Sequence, residues 1–156
     1  MKITKLVAGK KNPQKINVYI DEKYAFNIDA LEIASNKLYI DKEITKEEIN
    51  KLKSSSDTAK LYDYCLRVLN IRPRSESELR FMIKRITARW NKTYSSEKID
   101  ATINKLKDKK YLDDEAFAKW WIESRTEFKP RGKYALRQEL RIKGIDRELI
   151  EDSIKK

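Results

Sequence analysis

Four pairs of basic residues occupy matching positions in two parts of the sequence and, with one further lysine, could together bind a polyanion. On each of two predicted helices, basic residues recur four positions apart and so form one stripe along the helix. The stripes and the segments just before them contain Arg72, Arg74, Arg80, Lys84, Lys129, Arg131, Lys133, Arg137 and Arg141. Arginine and lysine neutralise phosphates and carboxylates, and a helix N-terminus adds partial positive charge. We predict that both stripes contact nucleic acid or an acidic protein surface, although each alone could be a solvated polar face.

The two stripes belong to a longer internal repeat. Segment 73–80 recurs as segment 130–137, with proline, arginine and a Leu-Arg pair at the same places. The shift from residue 73 to residue 130 is called the first offset. Segment 97–103 recurs as segment 148–154, with matching glutamate and isoleucines. The shift from residue 97 to residue 148 is called the second offset, and it is slightly smaller than the first. Self-similarity at a period of about 50 residues indicates tandem helical units that pack on one another. Such units present a repeated surface to an extended partner.

The positive charge is concentrated in the same region as the repeat. The chain has a formal net charge of +11. Residues 1–57 contain 11 lysines and 9 acidic residues, whereas residues 58–156 contain 25 basic and 16 acidic residues. This excess predicts a polyanionic partner for the C-terminal two thirds, unless it reflects only a lysine-rich composition.

The sequence offers no arrangement of residues for catalysis or metal binding. It contains no histidine, three glycines and a single cysteine, Cys65, which has no base to activate it. Asp113, Asp114 and Glu115 are typical of a helix cap and first turn rather than of a metal site. We therefore expect no enzymatic activity, cofactor or metal. The lone cysteine and the lack of an apolar run of about 18 residues predict a monomeric cytoplasmic protein without membrane contact.

A change in hydrophobic periodicity divides the sequence into three predicted parts. Residues 1–56 form a small N-terminal domain that contains a β-hairpin, with strands up to about residue 42 and a turn at 21–23. A short helix follows, and the serine-rich segment 53–57 is the predicted linker. Residues 57–110 and 111–156 form two three-helix repeats. The predicted fold is mainly α, with tandem three-helix repeats in an elongated array after a small strand-containing domain.

Polar residues mark where the predicted helices begin and end. Ser75 and Glu78 have the spacing of a capping box, as do Thr45 and Glu48. The other predicted caps are Asp57, Ser95 or Ser96, Asp113 or Asp114, and Asp146. Gly144 predicts a left-handed helix stop. Trp120 and Trp121 point about 100° apart on a helix, so we expect one in the core and the other between repeats or on a partner.

These residues resemble a known family. Arg72-x-Arg74-Ser75-x-x-Glu78-Leu79 resembles the first-repeat motif of the bacterial RecX regulatory proteins. Segment 111–118 followed by segment 132–145 resembles the motif of the second repeat, and the strand-rich start is similar to an extra N-terminal segment of some members. The resemblance implies tandem three-helix repeats that bind the RecA recombinase filament on DNA and modulate, usually inhibit, its ATP hydrolysis and strand exchange. Members usually carry a third repeat, whereas this sequence stops at Lys156 after the second, either as a natural short form or as a truncation.

Two interpretations of function stay open at this point. One is a regulator of the RecA filament in DNA repair and recombination, and the other is a general DNA-binding three-helix module that needs no recombinase. A sequence-reading module presents one recognition helix with base-reading side chains. Here two helices carry similar charge, and within them only Gln138 is an amide suited to reading bases. The residues therefore favour the regulator, with single-stranded or duplex DNA as an additional partner.

Overall fold

The computed structural model describes residues 1–128 and 132–155. The chain divides into two compact units, Met1–Lys60 and Leu61–Lys156. The elements within the described residues are β1 (Ile3–Ala8), β2 (Lys15–Ile20), β3 (Lys23–Asp29), α1 (Ala30–Ser35), α2 (Lys46–Ile71), α3 (Glu76–Arg89), α4 (Ser96–Asp108), α5 (Asp114–Phe128), α6 (Lys133–Ile142) and α7 (Arg147–Lys155). Among these helices, none is long and apolar enough to cross a lipid bilayer. The predicted class, mainly α with a small strand-containing part at the N-terminus, is confirmed.

The N-terminal unit is built on an antiparallel sheet of order β1-β2-β3. Alternation of apolar and polar residues places one face of each strand in the core, where Val18 pairs with Phe26. The predicted hairpin is confirmed, and its turn places Asp21 and Glu22 at positive φ. The predicted strand character up to residue 42 is wrong in part, because α1 occupies 30–35.

Helix α2 runs through the segment that was predicted to be a linker. Residues 53–57 are helical, and Asp57 lies inside the helix rather than at its start. Two hydroxyl groups in and beside this segment form hydrogen bonds that are compatible with the helix: the Thr58 hydroxyl donates to the Ser54 carbonyl, and the Ser56 hydroxyl donates to the Asn27 carbonyl. The boundary between the two compact units falls within α2. The division at residues 56 and 110 stays a prediction.

The C-terminal unit contains two helix triplets whose elements recur at one interval. Helix α2 ends at residue 71 and α5 at residue 128, while α3 begins at residue 76 and α6 at residue 133, so both intervals equal the first offset of the sequence repeat. Each triplet surrounds its own apolar cluster. The first buries Leu61, Cys65, Val68, Leu79, Ile83, Ile103, Leu106 and Leu112. The second buries Phe117, Ala118, Leu140, Ile145 and Ile150.

The predicted helix ends within these triplets are confirmed by their hydrogen bonds. Ser95 caps α4 by accepting a hydrogen bond from the Lys98 amide. Asp113 accepts hydrogen bonds from two amides of the first turn of α5. Asp146 accepts one from the Glu148 amide at the start of α7. Gly144 follows α6 with φ of +78°, a conformation that favours glycine.

Candidate functional site

The start of α3 is the joint between the two repeats. Ser75 is fully buried, and its Oγ accepts a hydrogen bond from the Glu78 amide at 3.1 Å and donates one to the Lys143 carbonyl at 2.7 Å. The Glu78 carboxylate in turn binds the Arg72 guanidinium at 2.7 Å and the Lys143 ammonium at 3.2 Å. Burial alone raises the pKa of Glu78, but the hydrogen bonds from Arg72, the Ser75 amide and Lys143 outweigh it and lower that pKa.

Both adjacent tryptophans lie against the core of the second repeat, close to this joint. The Arg72 guanidinium carbon lies 5.9 Å from the centroid of the Trp120 ring. Trp121 donates a hydrogen bond from Nε1 to the Glu139 carboxylate at 2.8 Å, and the Lys143 ammonium lies 5.2 Å from its ring centroid. Arg72, predicted as a partner-binding residue, therefore also packs the first repeat against the second.

A second set of polar contacts completes the joint. The Glu76 amide donates a 2.8 Å hydrogen bond to Asp114 at the start of α5, and burial raises the pKa of that carboxyl. Arg74, another predicted site residue, donates from Nε to the Val68 carbonyl at 3.5 Å. Burial and the neighbouring charge of Arg72 lower the pKa of Arg74. These two predicted arginines thus lie partly buried at the joint.

The first basic stripe borders an open cleft between α3 and α4. Arg80 is held between two carboxylates, Glu76 at 3.1 Å and Asp100 at 2.9 Å. Lys84, one turn further along, is exposed and contacts no carboxylate among the described residues. The cleft has a volume of about 630 Å3 and is lined by Arg80, Lys84, Thr87, Ala88, Asn91, Lys92, Thr93, Tyr94 and Ile99. Lys92 and its neighbours, on the connection between the helices, were not among the predicted site residues.

The second basic stripe repeats this arrangement on α6. Arg137 pairs with Glu151 of α7, with its Nε 2.7 Å from the carboxylate oxygen. The hydrogen bond that Arg137 donates to the Glu151 carboxylate raises the pKa of Arg137. Lys133 and Arg141 are exposed, and neither has an ionic partner in the described part of the chain.

The ion pairs Arg80–Asp100 and Arg137–Glu151 are equivalent. The two arginines are related by the first offset of the internal repeat, and the two acidic residues are related by the second offset. Each pair connects the second helix of its repeat to the third. The second offset was visible in the sequence, and aligning Asp100 with Glu151 by that offset could have revealed these partners.

Three of the nine predicted site residues are exposed cations without an acidic partner in the described chain: Lys84, Lys133 and Arg141. Lys84 and Arg141 are equivalent, because the first offset relates one to the other. Lys129 and Arg131 lie outside the described residues. Exposed cations thus lie at matching places in both repeats, and anion binding there stays a prediction.

The described residues hold no cluster suited to a metal ion and no reactive thiol. They contain no group of three or more His, Cys, Asp or Glu side chains that could hold a metal ion. Cys65 is buried in the first repeat, and burial raises its pKa to about 12. The thiol therefore stays protonated at neutral pH and is a poor nucleophile.

Two family models match this chain. The model described as "RecX, second three-helix domain" matches residues 113–154. The model of the "Regulatory protein RecX N-terminal domain" matches residues 1–45. The matches include the strand-containing start and the second repeat, including the stripe of Lys133, Arg137 and Arg141.

Curated relatives are similar along nearly the whole chain. A Regulatory protein RecX of Bacillus velezensis is 32% identical over 152 residues, which cover 97% of this chain and 56% of that protein. One of Listeria monocytogenes serotype 4a is 31% identical over 154 residues, covering 99% of this chain and 55% of that protein. The chain thus spans about half the length of these relatives.

Solved structures share the fold. A crystal structure of regulatory protein RecX matches with a TM-score of 0.74 and 27% identity, over 99% of this chain and 72% of the other. A crystal structure of RecX from Lactobacillus salivarius matches with a TM-score of 0.58 and 23% identity, over 64% of this chain and 61% of the other. Together with the family models and the curated relatives, these matches identify the chain as a member of the RecX family of regulatory proteins.

Proposed function

We propose that this protein is a non-enzymatic regulator that binds the RecA recombinase filament on DNA and modulates its ATP hydrolysis and strand exchange, with inhibition as the expected effect. Membership of a family of regulatory proteins supports this role. The role belongs to DNA repair and recombination in the cytoplasm and requires neither a cofactor nor a membrane.

The observation that carries the proposal is the equivalence of Lys84 and Arg141. Each is exposed, each has no carboxylate partner in the described chain, and each lies one turn beyond an arginine whose charge is already balanced. The two repeats therefore each offer one uncompensated cation at the same place. A repeated surface of this kind suits a partner that is itself built of repeated subunits.

The ion pairs of Arg80 and Arg137 argue against a sequence-reading DNA module. Arginine reads guanine through a bidentate hydrogen bond from a free guanidinium. The guanidinium groups of Arg80 and Arg137 are bound to Asp100 and Glu151 instead. Lys84 and Arg141 can still contact phosphates, which carry no base identity. Of these two only Arg141 carries a guanidinium, so the two repeats do not present a matched pair of free base-reading arginines. DNA contacts, where they occur, are therefore expected to position the protein rather than to select a sequence.

A binding experiment tests the proposal. RecA filaments assembled on single-stranded DNA are sedimented with the protein, and free single-stranded or duplex DNA is added as competitor. We expect co-sedimentation that free DNA displaces only weakly. We also expect the variant Lys84→Glu/Arg141→Glu to lose co-sedimentation with the filaments. The matched control Arg67→Glu/Arg147→Glu reverses two exposed arginines of the same unit and changes the net charge equally.

The outcome separates the two interpretations. Loss of binding in the first variant but not in the control supports the proposed surface. Equal loss in both variants means that total charge alone drives association. Complete displacement by free DNA favours the general DNA-binding module and contradicts a recombinase partner.

A further inference from the structure

A groove with an apolar floor and a basic rim lies between α2 and α3. Its volume is about 240 Å3, and it is lined by Tyr64, Met82, Arg85, Ile86 and Arg89. Tyr64, Met82 and Ile86 are half-buried, whereas both arginines are exposed. The cleft beside Lys84 lies between α3 and α4, so the groove is on the opposite flank of α3 from the basic stripe.

The two arginines of the rim have no acidic partner in the described part of the chain. The Arg85 guanidinium carbon lies 5.9 Å from the ring centroid of Phe81, which is itself exposed. Arg89 follows one turn later, near the end of α3. The helix dipole favours a cation there. That preference explains the charge of Arg89 but not the apolar floor beside it.

The second repeat shows which residues occupy the positions equivalent to those that line the groove. By the first offset of the internal repeat, Tyr64 corresponds to Trp121 and Met82 corresponds to Glu139. In the second repeat, the Glu139 carboxylate accepts a hydrogen bond from Trp121 at 2.8 Å and pairs with Arg125 at 3.4 Å. The Arg125 guanidinium also lies 4.6 Å from the centroid of the Trp121 ring. An aromatic ring and an arginine thus hold a carboxylate that the helix itself supplies.

In the first repeat, the carboxylate is replaced by Met82, and Val68 stands at the position of Arg125. The arginines beside this groove, Arg85 and Arg89, come instead from α3. We propose that the groove between Tyr64, Met82 and Ile86 binds an acidic protein segment in which one apolar side chain is flanked by carboxylates. The apolar side chain enters the groove, and the carboxylates pair with Arg85 and Arg89. Arginine suits this role because its planar guanidinium matches a carboxylate in geometry. Methionine suits it because its flexible thioether adapts to different apolar groups.

The floor of the groove favours a protein segment over nucleic acid. Single-stranded nucleic acids bind to open aromatic platforms beside cations. Met82 and Ile86 are aliphatic, and Tyr64 already packs edge to face against Trp90 with 5.7 Å between ring centroids. Phe81, next to Arg85, is exposed but does not line the groove, so the floor itself offers a base no free ring on which to stack. The proposal concerns a different face from the basic stripes and does not depend on them.

Methyl NMR tests the proposal directly, because the chain contains only two methionines, Met1 and Met82. With methionine methyl groups labelled with carbon-13, Met82 reports on the groove, and Met1, in the N-terminal unit, is the internal control. The probe is a short synthetic peptide with one phenylalanine flanked by glutamates. We expect its ring to shift the Met82 resonance in a saturable way while the Met1 resonance stays fixed.

Four comparisons decide the outcome. We expect a peptide with glutamine in place of glutamate, and the variant Arg85→Ala/Arg89→Ala, each to weaken the Met82 response at least about tenfold. The control Arg67→Ala/Arg147→Ala should respond like the parent. The proposal is overturned if Met82 does not respond to the acidic peptide at about 1 mM. It is also overturned if the glutamine peptide or the Arg85/Arg89 variant behaves like its parent, or if an oligothymidylate shifts Met82 more strongly than the peptide does.

Discussion

The Ser75 hydroxyl donates a 2.7 Å hydrogen bond to the backbone carbonyl of Lys143, so the N-cap of α3 is also the partner of the C-cap of α6. The same oxygen accepts the hydrogen bond that caps α3. One buried atom therefore both starts a helix of the first repeat and fixes the turn that ends a helix of the second.

The variant Ser75→Ala should lower the free energy of unfolding by about 2 to 3 kcal/mol, because it removes a helix cap and leaves a buried carbonyl without its donor. The matched control is Ser95→Ala, which removes only the exposed cap of α4 and should cost about 1 kcal/mol. Urea denaturation followed by far-ultraviolet circular dichroism measures both. Equal losses would show that the hydrogen bond to Lys143 contributes nothing to stability.

The variant Gly144→Ala should destabilise the same joint. A β-carbon on Gly144 would lie 2.4 Å from the Ser77 β-carbon, and its φ of +78° costs about 1 to 2 kcal/mol for a residue with a side chain. The control Gly132→Ala places its new β-carbon where nothing lies within 4 Å, at φ of −66°. We expect a clear fall in melting temperature for the first variant only. Similar melting temperatures would argue against a close contact at Ser77.

Acidification should weaken the protein through Glu78. Its pKa in the folded state lies below the ordinary value of 4.5, so its contribution to stability is complete above pH 4.5 and is lost as the pH falls through the folded value. The variant Glu78→Gln should therefore be less stable at neutral pH and should lose less stability below pH 4.5. Asp114→Asn is the control, since burial raises the pKa of Asp114 and gives the opposite slope. Denaturation series at several pH values would contradict this account if Glu78→Gln kept the slope of the parent.

Local patterns in the sequence were sufficient to predict most helix ends in the repeats. The capping box of Ser75 and Glu78 and the stop at Gly144 depend on residues within one turn of each other, and both are present. The segment 53–57 was predicted wrongly, since its serines favour loops by composition. In the structure, the Ser56 hydroxyl binds the Asn27 carbonyl and the neighbouring Thr58 hydroxyl binds the preceding helical turn, which periodicity does not reveal.

The candidate site was predictable as a set of cations but not as a surface. Asp100 lies 20 residues from Arg80, and Glu151 lies 14 residues from Arg137. Such partners depend on how the third helix of each repeat packs against the second. Once these pairs are known, Lys84 and Arg141 can be identified as the equivalent cations that have no acidic partner in the described chain.

Removing the acidic partners of the two stripe arginines should strengthen binding to polyanions. The variant Asp100→Asn/Glu151→Gln frees Arg137 and leaves Arg80 with Glu76 as its one carboxylate partner among the described residues. The cost in stability should be small, since exposed ion pairs contribute about 0 to 1 kcal/mol. We expect a severalfold increase in affinity for filaments at low salt, measured by fluorescence anisotropy. The control Asp63→Asn/Asp152→Asn changes the net charge equally at other exposed acidic residues. An equal gain in the control would mean that the stripes have no special role.

The most direct measurement of the central claim is the rate of DNA-dependent ATP hydrolysis by RecA filaments at increasing concentrations of this protein. The parent should slow hydrolysis, the variant Lys84→Glu/Arg141→Glu should need at least about tenfold more protein for the same effect, and Arg67→Glu/Arg147→Glu should act like the parent. A parent that leaves the rate unchanged would contradict the proposed regulation. A Lys84→Glu/Arg141→Glu variant that slows hydrolysis as well as the parent would show that these repeated cations are not the functional surface.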